Sequence, residues 1–168
     1  MKKLLFLTLS VLLTGYVFGQ DSPVIPKKKQ PSNSTSKNVN EQGAPAKQIE
    51  NIEVESMKYY NTGLDKHFAN DYSGALADFD KAIEINDKNI DAYSARGLAK
   101  GKLNDLNGAI VDYNKVIELD SNNAAAYCAR GMMKIVLKQK EGGCLDLTRA
   151  IELGDKRAPD LKTEYCTQ

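Results

Sequence analysis

Catalysis by side chains needs a nucleophile or general base held beside groups that orient it, and this chain of 168 residues supplies few such groups. It has one histidine, His67, and three cysteines, Cys128, Cys144 and Cys166. Asp65 stands too near His67 in sequence to share its helix face, and no Ser or Cys sits in a nucleophile elbow, so no triad forms around the imidazole. So few soft ligands exclude a His-rich or four-cysteine zinc site, and neither a metal nor a cofactor is expected. The acidic pairs Asp78 with Asp80 and Asp112 with Glu118 read as solvated helix-face residues, not as the two carboxylates of a glycosidase. Lys66, Lys100 and Lys134 recur at a fixed interval that suggests an anion ladder, but the simpler reading lays their stems along a helix with the ammonium heads in water. The chain therefore reads as a non-enzyme.

Charge adds a second exclusion. The sequence holds 23 basic and 22 acidic residues for a net +1. No field of one sign exists to attract nucleic acid, and none is expected as a partner.

The elements that position these residues follow a sharp division of the chain. Lys2 and Lys3 precede an uncharged run from Leu4 to Phe18, and Val17 and Gly19 stand three residues and one residue before a cleavage point ahead of Gln20. This is the pattern of a secretory signal over residues 1–19. The run would span only about 22 Å as a helix against a hydrocarbon core of roughly 30 Å, so the mature form is expected to carry no transmembrane helix. The first cysteine is Cys128, so no acylated cysteine follows the cleavage point. Export to the periplasm or the medium of a bacterial cell envelope is the expectation.

Residues 20–47 contain four of the five prolines, few large apolar side chains and a net charge of +3, while residues 48–168 carry −4. Such a segment buries too little to offset its chain entropy and reads as a disordered tether. Lys27, Lys28 and Lys29 read as solvating residues there, being too few for membrane adhesion. The sequon Asn33-Ser34-Thr35 is not expected to be used behind a bacterial signal.

From residue 56 the chain repeats itself every 34 positions. Tyr59, Tyr93 and Tyr127 coincide, as do Gly63, Gly97 and Gly131; then Ala75, Ala109 and Gly143; then Phe79, Tyr113 and Leu147. Ile83, Ile117 and Ile151 are followed by Glu84, Glu118 and Glu152 at the same spacing. Three units result, over residues 56–89, 90–123 and 124–157, with 158–168 left as a short capping helix. Apolar positions recur at helical spacing in each half of a unit, and a polar turn such as Asn104, Asp105 and Asn107 separates the halves. A helical glycine costs about 1 kcal/mol against alanine, so its presence at one position in all three units predicts a close helix crossing.

These residues resemble the tetratricopeptide-repeat family: a 34-residue period with an aromatic and a glycine in the first helix, and Ala or Gly, an aromatic or Leu, and Ala or Val in the second. The segments RGLAKGKLNDLNGAIVDYNKVIELD and RGMMKIVLKQKEGGCLDLTRAIELG carry the densest match. Two departures stand out. Asp87, Ser121 and Asp155 replace the proline that ends the second helix, and Lys66, Lys100 and Lys134 replace the second aromatic of the first.

The resemblance implies an all-α fold, a right-handed solenoid of stacked helix pairs with protein binding as its generic role. Its partner is a protein or peptide, held in a concave groove lined by first helices. Groove positions carried over from the family are Tyr60, Leu64, His67 and Phe68 in the first unit, Asp91, Ser94, Leu98 and Lys102 in the second, and Cys128, Met132 and Ile135 in the third. The competing arrangement has Ile49, Ile52 and Val54, or the tether, fold back over the first-unit stripe. Family members that grip a C-terminal carboxylate do so with Lys, Asn and Arg, whereas this chain has Tyr60, Leu64, Ala95, Ala125 and Ala129 in those places. A structural adaptor that works through its ends or convex face is the second reading.

The same register bears on the cysteines. Leu76 and Ile110 stand where the third unit has Cys144, and they should face the first helix of the next unit. The third unit is followed only by the capping helix, which ends in Cys166. A Cys144–Cys166 disulfide is therefore expected, with Cys128 as the odd thiol; three reduced thiols, or a bridge that uses Cys128, are the alternatives.

Overall fold

A computed structural model describes residues 44–167, all of whose regular structure is helical. The segment read as the signal and most of the tether lie outside the described residues. The order is α1 (Ala44–Phe68), α2 (Tyr72–Ile85), α3 (Ile90–Lys102), α4 (Leu106–Leu119), α5 (Ala124–Val136), α6 (Lys140–Glu152) and α7 (Ala158–Cys166). Helices α1 with α2, α3 with α4, and α5 with α6 form three antiparallel hairpins, each stacked on the next, and α7 lies against α6. Among the described residues no helix is long and apolar enough to cross a membrane.

Short polar side chains set the helix starts. The side chains of Asp71, Asn89, Asp105 and Asn123 accept from the backbone N–H three residues on, at Gly74, Ala92, Gly108 and Ala126. Within each hairpin the turn passes through one left-handed residue, Asn70, Asn104 or Lys138, again 34 apart. Asparagine tolerates that conformation better than lysine does.

Helix α1 runs for 25 residues and begins inside the stretch read as tether, so residues 44–47 are helical. Pro45 permits this because it falls in the first turn, where a missing N–H costs nothing. The unbroken α1 also rules out the fold-back of Ile52 and Val54. Both stay exposed on its N-terminal half.

The core is three stacked clusters. Tyr60, Leu64 and Phe79 pack with Ala92, Ala95 and Ala99; Tyr113 and Val116 with Ala126 and Met133; Leu147 and Ala150 with Cys128 and Ala158. Alanines on one face of α3 let it approach α1 closely. The predicted packing residues all take part: Ala75, Ala109, Gly63, Gly97, Gly131 and Gly143 are buried, and Tyr59, Tyr93 and Tyr127 lie half-buried against the clusters. Cys144 and Cys166 are joined in a disulfide with their Cα atoms 5.8 Å apart, and Cys128 is free.

Candidate functional site

The first helices α1, α3 and α5 carry all the predicted groove residues, but they do not present all of them. Tyr60 and Leu64 are fully buried, and His67, Leu98 and Cys128 nearly so. These five are corrected from partner contacts to packing residues. The reason is geometric: Tyr60 and Leu64 sit in the same cluster as Ala92, Ala95 and Ala99, so the neighbouring first helix covers the face expected to be open. Phe68 remains exposed, and Asp91, Ser94, Lys102, Met132 and Ile135 are half-buried along the successive first helices. Val136, at the position equivalent to Phe68, is exposed as well.

His67 is a packed imidazole. Its ring meets Tyr72 edge-on at 5.1 Å and Phe68 at 6.0 Å, and its Nδ1 is buried without a hydrogen-bond partner. Burial, and then the nearby Lys102 charge, hold its pKa below the ordinary 6.5. The linkage sign follows. As pH falls below 6.5, the unfolded chain takes up a proton that the folded one refuses, so stability declines until pH reaches the depressed folded value. A pH series of urea unfolding should show this slope in the native protein and lose it in His67→Leu; an unchanged slope in the variant would assign the effect elsewhere.

Cys128 lies beneath α7, and burial, with Asp155 adding and Arg157 opposing, pushes its thiol up to about 12. It is an unreactive thiol in this state. Tyr60 is likewise raised, first by burial and then by Asp91.

The larger correction concerns the lysines and acids. Asp112 is fully buried between the helices of the second hairpin, where Arg96 Nε donates to its carboxylate at 3.0 and 3.2 Å and Lys100 Nζ lies 2.9 Å away. Asp146 repeats the arrangement in the third hairpin, with Arg130 Nε at 2.8 Å and Lys134 Nζ at 2.8 Å. In the first, Lys66 pairs with Asp78 at 2.8 Å. So the recurring lysines are ion-pair partners, with Lys100 and Lys134 drawn in beside a buried acid and the Lys66 side chain more exposed, and Asp78 and Asp112 are not on solvated faces. Glu118, by contrast, is exposed and paired with Lys115 at 2.6 Å.

The arginines also tie one hairpin to the next. Arg96 Nη1 donates to Asp80 of the first hairpin at 2.7 Å, and Arg130 Nη1 to Asn114 of the second at 2.7 Å. Each guanidinium also covers a tyrosine ring, Tyr93 or Tyr127, at 5.3 Å. The first hairpin has Thr62 at this position, whose hydroxyl bonds back to Lys58 within α1. Arginine thus occurs where there is a preceding hairpin to hold. The sequence contained the signal, since Arg96 with Arg130, and Asp78 with Asp112 and Asp146, keep the same 34-residue interval as the lysines.

Chemically this arrangement packs and pairs charge. Among the described residues no cluster of His, Cys, Asp and Glu is suited to hold a metal ion. Comparison with known proteins agrees with the architecture. The family model described as "TPR repeat", the tetratricopeptide repeat, matches residues 67–104 and 101–134. No curated protein matches the sequence. Among solved structures, the Arabidopsis OM64 TPR domain superposes with a TM-score of 0.66 at 22% identity, covering 68% of this chain and 96% of that one. The second TPR domain of human RPAP3, in complex with an HSP70 peptide, gives 0.66 at 18% identity over 70% of this chain and 99% of that one. The TPR2B domain of yeast Sti1, in a pHsp70 complex, gives 0.62 at 23% identity over 67% and 94%. Residues 67–134 are similar to tetratricopeptide repeats, and the described helices form a tetratricopeptide-like solenoid.

Proposed function

We propose that the protein is an exported interaction module, with three tetratricopeptide units, that holds a segment of a partner protein along the concave side of its first helices. The observation that carries this reading is the accessible strip that remains there: Phe68 and Val136 exposed, with Asp91, Ser94, Lys102 and Met132 half-buried between them. Asp91 and Lys102 lie eleven residues apart on α3, about 16 Å along its axis at 1.5 Å per residue. That span suits an extended segment of about five residues with opposite charges at its ends and apolar anchors beside them.

The HSP70 peptide bound to the second RPAP3 domain, and the pHsp70 complex of the Sti1 domain, support a partner-binding role for this fold. Their chaperone-tail specificity does not carry over, because Tyr60, Leu64 and Ala95 occupy clamp positions and are buried. Export is supported by the leading residues and by the Cys144–Cys166 pair, which suits an oxidising compartment such as the bacterial periplasm or the medium. A second reading, an adaptor that works through its convex face, is favoured by Val111 and Leu145, exposed at equivalent positions of α4 and α6.

The test is peptide-array binding of the mature protein, with N-terminal sequencing of the exported form. Processing should begin at Gln20. Phe68→Ala and Lys102→Ala should each weaken capture about tenfold or more, as expected of an interface anchor, with the helical fold retained by circular dichroism. Loss of binding in Val111→Ser and Leu145→Ser instead would move the contact to the convex face. Leu98→Asp is unsuited to the purpose, since Leu98 is buried and the variant would unfold.

A further inference from the structure

The C-terminal end of the solenoid is built differently from its N-terminal end. On α1 the positions equivalent to Ala92, Ala95 and Ala99 are Lys58, Asn61 and Asp65, so that end is closed by polar side chains. The other end exposes no such face, because α7 covers it. Cys128, Leu147 and Ala150 are buried in a cluster that includes Ala158, Leu161 and Cys166 of α7.

Besides the disulfide, α7 is held by the packing of Ala158 and Leu161 and by the Asp155 carboxylate, which accepts from Arg157 and the Ala158 N–H at its start. The helix has nine residues, of which only Ala158 is buried. Its N-cap, Arg157, makes no side-chain cap bond, although Asp155 accepts from the Ala158 N–H at 3.2 Å. Helices shorter than about 12–15 residues are marginal in water without tertiary support. The attachments are also polarised. At the near end the chain turns through Gly154 at φ +88° with open space around its Cα, the backbone freedom a hinge needs. At the far end Cys166, in the last turn of α7, is bonded to Cys144 of α6. Both cysteines are half-buried.

We propose that the Cys144–Cys166 disulfide is a redox latch: its reduction by a dithiol frees α7 to swing away about Gly154, uncovering the apolar end of α5 and α6 and the thiol of Cys128. A thiolate of the reductant attacks one sulfur, forming a mixed disulfide and releasing the other cysteine as a thiolate that takes a proton from water. The second thiol of the reductant then closes its own disulfide and releases the remaining cysteine, which is also protonated. Two electrons and two protons pass to the protein, and the dithiol leaves oxidised. The bond closes a loop over a sequence separation of 22 residues, which in the chain-entropy model suppresses the detached state on the order of a hundredfold. This goes beyond the groove reading and is independent of it, since it rests on the end of the array.

The experiment uses the mature chain in native buffer, oxidised and after treatment with dithiothreitol, alongside Cys144→Ser/Cys166→Ser. Amide hydrogen exchange over residues 158–166 and maleimide labelling of Cys128 are followed by mass spectrometry. Both rates should rise on the order of a hundredfold on reduction and in the variant, while exchange in α1 to α4 stays within a fewfold of the oxidised protein. Unchanged exchange of α7 after reduction overturns the latch. So does a uniform loss of protection from α1 to α7, which would make the bond a general stabiliser. If the variant does not fold, the dithiothreitol arm alone decides between these outcomes.

Discussion

Asp112→Ala is expected to destabilise the protein by about 3–5 kcal/mol, the cost of removing one partner from a buried ion pair. The Asp112 side chain is 0% exposed, and those of Arg96 and Lys100 are 18% and 21% exposed. Without the carboxylate, two cations stay half-desolvated beside each other with no counter-charge in reach but Asp80. That acid is itself 59% exposed, so Asp80→Ala should cost less than about 1 kcal/mol, as exposed pairs do. Chemical denaturation of the two variants reads the difference directly. A loss below 1 kcal/mol for Asp112→Ala would mean that water, not Asp112, compensates the cations. Replacing Arg96, Lys100 and Asp112 together by apolar residues should recover much of the loss, because a buried pair is poor at stabilising relative to a well-packed core.

Gly143→Ala should be the most damaging of the glycine-to-alanine changes at the helix crossings. Its new Cβ would stand 2.7 Å from the Gly131 carbonyl oxygen, 2.5 Å from Ile135 Cγ1 and 3.2 Å from the Ile135 backbone nitrogen. Backbone atoms cannot rotate away, so α5 and α6 must separate. Overpacking of this kind costs about 1–3 kcal/mol, more than the gain of about 1 kcal/mol that alanine brings to a helix. Gly97→Ala differs because its Cβ would meet only side-chain atoms of Tyr113 and Asp112, at 3.2 to 3.4 Å. The Tyr113 ring can yield by tenths of an ångström, whereas Asp112 Cβ moves only with its backbone, so the helix gain is offset and the two effects nearly cancel. Gly97→Val adds two methyl groups to the same contact and should again cost a few kcal/mol. Thermal melts of the three variants give the order Gly143→Ala and Gly97→Val well below Gly97→Ala. Equal melting temperatures for the two alanine variants would contradict the backbone contact at Gly143.

The two glycine positions also show what kind of information a single chain can reveal. Gly97 was legible as a packing site because a residue that weakens a helix, kept at positions 63, 97 and 131, needs a contact to justify it, and Gly143 because it shares its place with the small residues Ala75 and Ala109. Periodicity likewise exposed the hairpins and their stacking order. The Cys144–Cys166 pairing followed from position alone: an apolar site facing a neighbour in two units has only α7 to face in the third. All of these depend on spacing along the chain, and spacing is written in the sequence.

Which face of each first helix meets water was decided only by how tightly the hairpins stack. Tyr60, Leu64 and Cys128 lie on an apolar stripe that is open on an isolated helix pair. Ala92, Ala95 and Ala99 are small enough to bring α3 close to α1, and Ala158 brings α7 onto the cluster containing Cys128, so those side chains become core. The charged residues were misjudged for the matching reason. On a helix wheel Lys100 and Asp112 look like ordinary surface residues, because their partners lie 12 and 16 positions away, on Asp112 for one and Arg96 for the other. Only the folding of the hairpin places Asp112 where two cations converge and water is excluded. Helical period sets which residues share a face, whereas the distance between helix axes sets whether that face is surface or interior, and that distance depends on side chains contributed by a different helix.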